Sequence, residues 1–330
     1  MIKDHPEIKF GKTGVLLVNL GTPDSTSWLD IRKYLKEFLS DKRVIEVNPI
    51  LWQIILNLFI LTFRPSKTAH AYKKIWIKET NESPLRYFTR NQAEKLKQKI
   101  GSENVLVDYA MRYGNPSIKT KLNKLKDEGC ENIIIFPLYP QYAAATTATV
   151  CDEVYRTLMQ MRWQPSLQII SHYESEPLYI NALVKSIEKK IQKIDWEPDL
   201  IISSYHGIPK KYFDKGDPYQ CYCHKTTRLI KEKFSKIEIE TTFQSRFGPQ
   251  EWLKPYTDKT LESLPGKGIK KILLICPGFA SDCVETLEEI DIQGRESFLN
   301  NGGEKFDLIP CLNDSSDHVL LFEQLVKKFL

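Results

Sequence analysis

The stretch Asp199-Leu-Ile-Ile-Ser-Ser-Tyr-His-Gly-Ile-Pro209 constrains this chain more than any other. It opens as an apolar run without polar alternation, the pattern of a strand buried on both faces of a parallel sheet. It closes at Gly207 and Pro209, which end the strand and turn the chain. His206 therefore falls just past a strand's carboxyl end, the edge at which open α/β sheets hold ligands. An imidazole there can take a proton near neutral pH or bind a borderline metal ion; bonded only to nearby backbone, it would be a plain turn residue.

The same pattern recurs. Residues 13–23, 104–112, 132–142 and 167–171 read as strands in the first half, and 200–204, 237–242, 271–279 and 306–310 in the second. Helical stretches fall between them, the first capped by Thr26 or Ser27 and the last closing the chain at 319–330. Strand–helix alternation that starts afresh midway predicts an α/β protein of two Rossmann-like lobes, each a parallel sheet flanked by helices. The expected lobes are residues 10–172 and 173–313, with the helix in 314–330 packing back on the first and the ligand site in the cleft between them. A dinucleotide fingerprint fails, because no Gly-x-Gly-x-x-Gly follows the first strand.

Charge narrows the partners. The 47 basic and 42 acidic residues leave a net charge of only +5, and the basic ones are scattered, so nucleic acid is not an expected partner. Seven cysteines, an odd number without framework spacing, read as reduced thiols of a cytosolic protein. The first nine residues lack the apolar core of an export signal. No run looks long and pure enough to cross a bilayer. The nearest runs from Ile50 to Phe63 and is expected to stop at Arg64-Pro65. It fits a core helix, or an apolar lip that touches a membrane or accepts a flat ligand.

A second stretch carries chemistry: Cys276-Pro-Gly-Phe-Ala-Ser-Asp-Cys-Val-Glu-Thr-Leu-Glu-Glu-Ile-Asp291. On an α-helix, Asp282, Glu285 and Glu289 would share one face, and clustered carboxylates raise one another's proton affinity. The plain alternative is a solvated acidic face near a helix start. Paired with His206, the row makes a divalent-metal or proton-transfer site. Cys221-Tyr-Cys223-His224 supplies only one short side of a zinc cage and reads as a structural loop.

Here the residues become recognisable. Ser-Tyr-His-Gly-Ile-Pro209 followed by Gly-Asp-Pro-Tyr219, Thr-Thr-Phe-Gln-Ser-Arg-Phe-Gly-Pro-Gln-Glu-Trp252 and the stretch ending at Asp291 resemble the ferrochelatase family. Val-Asn-Leu-Gly-Thr-Pro23, Met-Arg-Tyr-Gly-Asn-Pro116 and Leu-Tyr-Pro-Gln-Tyr142 match as well, in order over nearly the whole chain. The resemblance implies a chelatase-type pair of lobes and insertion of Fe²⁺ into protoporphyrin IX to give protohaem. It implies His206 and Glu285 as the metal pair, with Glu289 as a further catalytic carboxylate and Asp291 beyond it. It implies Leu20, Arg112, Tyr113, Tyr139 and Phe279 as porphyrin contacts, and contact of the Ile50–Phe63 lip with the inner face of the membrane.

Iron enters as substrate, with no permanent cofactor. Ala144 stands where family members bearing an iron–sulfur cluster have cysteine, so no cluster is expected; Cys283 stands where some members carry histidine. Two rivals remain: the same chemistry on coproporphyrin III, and a non-catalytic porphyrin or haem carrier, which would need the cleft but not the acidic row.

Overall fold

A computed structural model describes residues 9–234 and 237–330. The first sheet contains β1 (Lys12–Thr22), β2 (Val105–Gly114), β3 (Cys130–Pro137) and β4 (Ser166–Ile169) in the order β2-β1-β3-β4. The second contains β5 (Leu200–His206), β6 (Ile239–Gln244), β7 (Lys271–Ile275) and β8 (Lys305–Ile309) in the equivalent order β6-β5-β7-β8. Every pairing within both sheets is parallel. In each sheet the order reverses beside the central strand, at β1/β3 and at β5/β7. Open α/β sheets bind ligands at such switch points, outside the strand carboxyl ends.

The strands are apolar on both faces because each sheet is covered on both. Outside the first sheet, Leu16, Val18, Ile133 and Ile135 pack with Leu122, Val150 and Val154 of its flanking helices. Outside the second, Ile202, Ile272 and Leu274 pack with Leu261, Ile290 and Phe298. The inner faces meet in one core. Val15, Leu17 and Phe136 of the first sheet and Ile201, Leu273 and Ile275 of the second share a layer of helices holding Leu96, Tyr179, Ile187, Phe322 and Val326. The closing helix Ser316–Lys327 lies in this layer against both Pro84–Ile100 and Pro177–Ile191.

Three expectations from sequence need correction. The apolar stretch does not stop at Arg64-Pro65: α-helix Pro49–Ile55, a π-helical segment Leu56–Ile60 and α-helix Leu61–Ile75 run on as one 27-residue helix. Pro65 removes one N–H from the ladder, but burial of Leu61, Pro65, Ala69 and Tyr72 on the first lobe holds the helix together past it. By length and composition alone this helix is sufficient to cross a membrane. Next, Cys221 and Cys223 lie not on a loop but on helix Tyr219–Lys231, where Cys223 is buried and Cys221 exposed, so the two thiols diverge. Finally, Asp282 lies ahead of the acidic helix, and that helix, Glu285–Gly294, is π-helical rather than α-helical.

A tight crossing closes the β1 edge. Gly21 has φ +118°, and a Cβ there would stand 1.8 Å from the carbonyl oxygen of Tyr113. Gly21→Ala should therefore shift the urea unfolding midpoint by more than about 2 kcal/mol of stability. An unchanged midpoint would remove this crossing from the constraints on the fold.

Candidate active site

The site grows from the end of β5. His206 is half-buried and pairs in register with Gln244 of β6. The turn behind it is pressed against that neighbour. Gly207 N donates to Gln244 O at 2.8 Å, and a Cβ on Gly207 would meet the same oxygen at 3.0 Å and the Trp252 ring at 3.2 Å. His206 Nδ1 lies 2.7 Å from Gly207 O. A carbonyl only accepts, so Nδ1 carries the hydrogen and Nε2 keeps its lone pair.

Gln244 and Ser245 carry the acidic helix to this edge. Gln244 Oε1 accepts from Ser204 Oγ at 2.8 Å, and its Nε2 donates to the Glu285 carbonyl at 2.9 Å. Ser245, at φ +64°, grips the Glu289 carboxylate with both donors, N at 2.7 Å and Oγ at 2.5 Å. Burial raises the proton affinity of Glu289 and the nearby Glu285 adds to it; the Ser245 hydrogen bonds and His206 oppose, and the net displacement is upward. Gln244 thus holds the helix backbone at Glu285 and Ser245 the Glu289 carboxylate, and Glu289 lies close enough to both His206 and Glu285 to feel their charges.

Asp282, expected in the same row, is a cap instead. Its carboxylate accepts from Thr286 Oγ1 at 3.0 Å, Cys311 N at 3.2 Å and Asn313 Nδ2 at 2.7 Å. Asp291 is taken by Arg295 on the following turn.

The wall facing Glu285 is aromatic. Tyr34 and Tyr72 are buried there, and burial first, with the charge of Glu285 contributing, holds both hydroxyls well above their usual pKa. Leu20, at the end of β1, lies at the junction of two apolar clusters, one of which also holds Val284 from the other lobe. Tyr139 follows β3 and is buried, with no hydrogen-bond partner for its hydroxyl among the described residues. Phe279 follows β7, half-buried. Leu20, Tyr139, His206 and Phe279 thus bracket the two switch points.

Arg112 and Tyr113 are engaged elsewhere in a buried network. Arg112 Nε donates to Thr149 O and Oγ1 at 2.9 and 2.7 Å, and its Nη2 pairs with Asp41 at 2.5 Å. Tyr113 OH donates to the same carboxylate at 2.9 Å. Burial pushes the Asp41 carboxyl up, but hydrogen bonds from Thr149 and the Arg43 amide, then the Arg112 charge, outweigh it and hold it below its usual range. A charged depression of about 770 Å³ reaches Arg112 and Asp41, with Arg43, Asp152 and Arg156 among its walls and neither His206 nor Glu285.

Sequence reasoning missed Gln244, Ser245, Tyr34 and Tyr72. The first two stand at a strand's carboxyl end, so the rule that found His206 could have found them. The tyrosines occupy helix positions whose periodicity reads as plain core.

Two matched parallel sheets, with a histidine and two glutamates gathered at the strand ends of the second, define a metal-chelatase type of protein. The fold agrees with that of SirB from Bacillus subtilis, solved with Fe³⁺, at a TM-score of 0.56 and 12% identity over 96% of this chain and 95% of that one. The ferrochelatase family model matches residues 12–330. The curated ferrochelatase of Allorhizobium ampelinum is 56% identical, covering 99% of this chain and 96% of its own. That of Francisella tularensis subsp. novicida is 52% identical, covering 97% and 96%. The chain belongs to the ferrochelatase family, metal-chelating lyases of haem biosynthesis that take a porphyrin and iron as substrates.

The Ser245 grip yields a signed prediction. Both of its hydrogen bonds favour the ionised form of Glu289. Ser245→Ala removes one, so Glu289 keeps its proton to higher pH. The acidic limb of the rate profile should move up by about one pH unit, the scale of one hydrogen bond to a charge. A superimposable profile would separate Glu289 from the rate.

Proposed function

We propose that the enzyme inserts Fe²⁺ into protoporphyrin IX, giving protohaem and two released protons. The observation that carries this reading is that the end of β6 holds both His206, in register with Gln244, and the acidic helix, through the Glu285 carbonyl and the Glu289 carboxylate, with Glu289 close to His206 and Glu285. Each Fe²⁺ entering the ring displaces two pyrrole N–H protons, so charge balances only if bases near the ring accept them. With Nδ1–H committed to Gly207 O, the Nε2 lone pair of the neutral imidazole suits that role. Glu289, whose proton affinity is already raised, suits onward transfer. His206 with Glu285 also suits the metal, as imidazole and carboxylate replace water around the incoming iron.

Porphyrin contact is assigned to Leu20, Tyr139 and Phe279 around the switch points, and to Arg112 and Tyr113 from the charged side. The unpartnered Tyr139 hydroxyl supports this, since a buried donor without a partner is unfavourable until a ligand supplies one. Iron passes through as substrate, and the reading calls for no permanent cofactor and no iron–sulfur cluster.

Anaerobic Fe²⁺ insertion followed by porphyrin absorbance tests the assignment. His206→Ala and Glu285→Gln should each lower kcat by at least about a hundredfold, in the range of general acid–base contributions. Near-parental rates in both would reject it. Faster turnover of coproporphyrin III than of protoporphyrin IX would reassign the substrate, and porphyrin binding without insertion of any divalent ion would make the protein a carrier.

The lip supports a location at the cytoplasmic face of a membrane. Ile50, Leu51, Ile54, Leu58, Phe59 and Phe63 of the 27-residue helix are all at least half exposed, whereas Leu56, Leu61, Pro65, Ala69 and Tyr72 are buried on the lobe. A helix docked along one side and apolar on the other suits lying in a bilayer surface with an apolar substrate arriving beside it. The affinity for phosphatidylglycerol-containing vesicles, read by co-sedimentation, should fall by at least about tenfold in Leu58→Asp/Phe59→Asp, since burial of even one such apolar side chain contributes about 1.5 kcal/mol. Equal sedimentation would remove the lip from membrane contact.

A further inference from the structure

The acidic helix holds one buried carboxylate that the chemistry above leaves unused. Glu288 is 5% exposed, and its neighbours in sequence face other ways. Glu289 turns to Ser245 just past β6, while Glu288 turns to the first lobe. Its Oε1 accepts from Lys74 Nζ at 2.9 Å and its Oε2 from Gln293 Nε2 at 2.7 Å. In a helix with i→i+5 bonding a turn takes between four and five residues. Glu285 and Glu289 therefore stack one turn apart, and Glu288 stands to their side.

Lys74 lies near the end of the long helix that forms the lip. At mid-helix, just past the lip, the Arg64 guanidinium stacks 4.6 Å from the centroid of the Phe247 ring on the second lobe. Between them, Tyr72 is buried near Glu285 and Cys283. The C-terminal half of the lip helix thus touches the second lobe at Arg64 and at Lys74 and packs along the acidic helix between.

We propose that Lys74 and Glu288 are a positioning pair: they fix the rotation of the acidic helix about its own axis so that Glu285 and Glu289 face His206. The pair also couples the lip helix to the metal-handling edge, since one rigid helix carries both Phe63 and Lys74. Glu288 touches no reacting atom. Without Lys74, three carboxylates within one turn would repel, and a buried one would lack its counter-charge. Rotation toward water relieves both, and it carries Glu285 and Glu289 out of register. The inference rests on the assignment of His206, Glu285 and Glu289 made above.

The test is anaerobic Fe²⁺ insertion into protoporphyrin IX by Lys74→Met, Glu288→Gln and the charge swap Lys74→Glu/Glu288→Lys, with Glu285→Gln alongside. Each single variant should lower kcat by about ten- to a hundredfold, the effect of an ångström-scale misplacement, with porphyrin KM within about twofold of the parent. The swap should recover most of the lost kcat, which a purely stabilising pair has no reason to do. Parental kcat in Glu288→Gln, a loss confined to KM, or a folded swap as slow as the singles would each overturn the pair. Should the swap not fold, the isosteric Glu288→Gln decides alone. Loss of turnover in Glu285→Gln beside parental Glu288→Gln rejects the pair and keeps the site; parental Glu285→Gln rejects both.

Discussion

Everything in the cleft depends on the apolar layer that the two sheets share. Residues from β1 and β3 of one sheet and β5 and β7 of the other bury against the same helices, so the sheets do not meet as separate domains across a wet interface. A continuous, close-packed core holds the two switch points at a fixed separation. His206 stands at a strand end of one sheet and Leu20 and Tyr139 at strand ends of the other, so that rigidity also fixes where these side chains stand relative to one another. Polar links support the same closure. Gln92 of the first lobe donates to Ala280 O at 3.0 Å and Asn313 O at 2.8 Å on the second. Asp217 accepts from Ala144 N at 2.8 Å across the gap.

The acidic helix shows how local structure departs from the simplest pattern to make a site. An α-helix starting at Asp282 would have laid its carboxylate along the row. Instead Asp282 spends both oxygens on Thr286, Cys311 and Asn313, so it serves as an anchor for the helix start. Glu285 and Glu289 are then delivered to β6 by the wider helical turn. Gln244 and Ser245 complete the arrangement, one holding the helix backbone and the other a side chain. The carboxylates stay half-buried rather than solvated, which is why Glu289 binds protons more tightly than an exposed glutamate.

Much of this was legible in the residues. Apolar runs ending in Gly or Pro mark β1, β3, β5, β7 and β8, because parallel strands buried on both faces have no polar side to display, whereas β6 alternates Ile and Glu and is legible by its β-branched residues instead. His206 was legible because strand ends and switch points coincide in this architecture. What stayed hidden depended on hydrogen-bond register or on tertiary burial. The i→i+5 bonding of Glu285–Gly294 leaves no compositional mark. The continuation of the lip helix through Pro65 contradicts a sound local rule and is explained only by the lobe it packs on. Cys221-Tyr-Cys223-His224 looked like part of a cage until its helix turned one thiol inward and the other out.

The Arg112 network of the first lobe and the His206 edge of the second handle charge in opposite ways. At Arg112, burial of a positive group is compensated within the protein by Asp41, with Thr149 and Tyr113 satisfying the remaining donors and acceptors. Such a closed network resists rearrangement, since removing any member leaves another buried and unpaired. At His206, compensation is left incomplete. The imidazole has one nitrogen committed and one open, and Glu289 is held by Ser245 without a full counter-charge. The first lobe thus closes its buried charges on one another, while the second leaves a ring nitrogen without a partner among the described residues beside a carboxylate of raised proton affinity. The difference follows from where each lobe spends its buried charges.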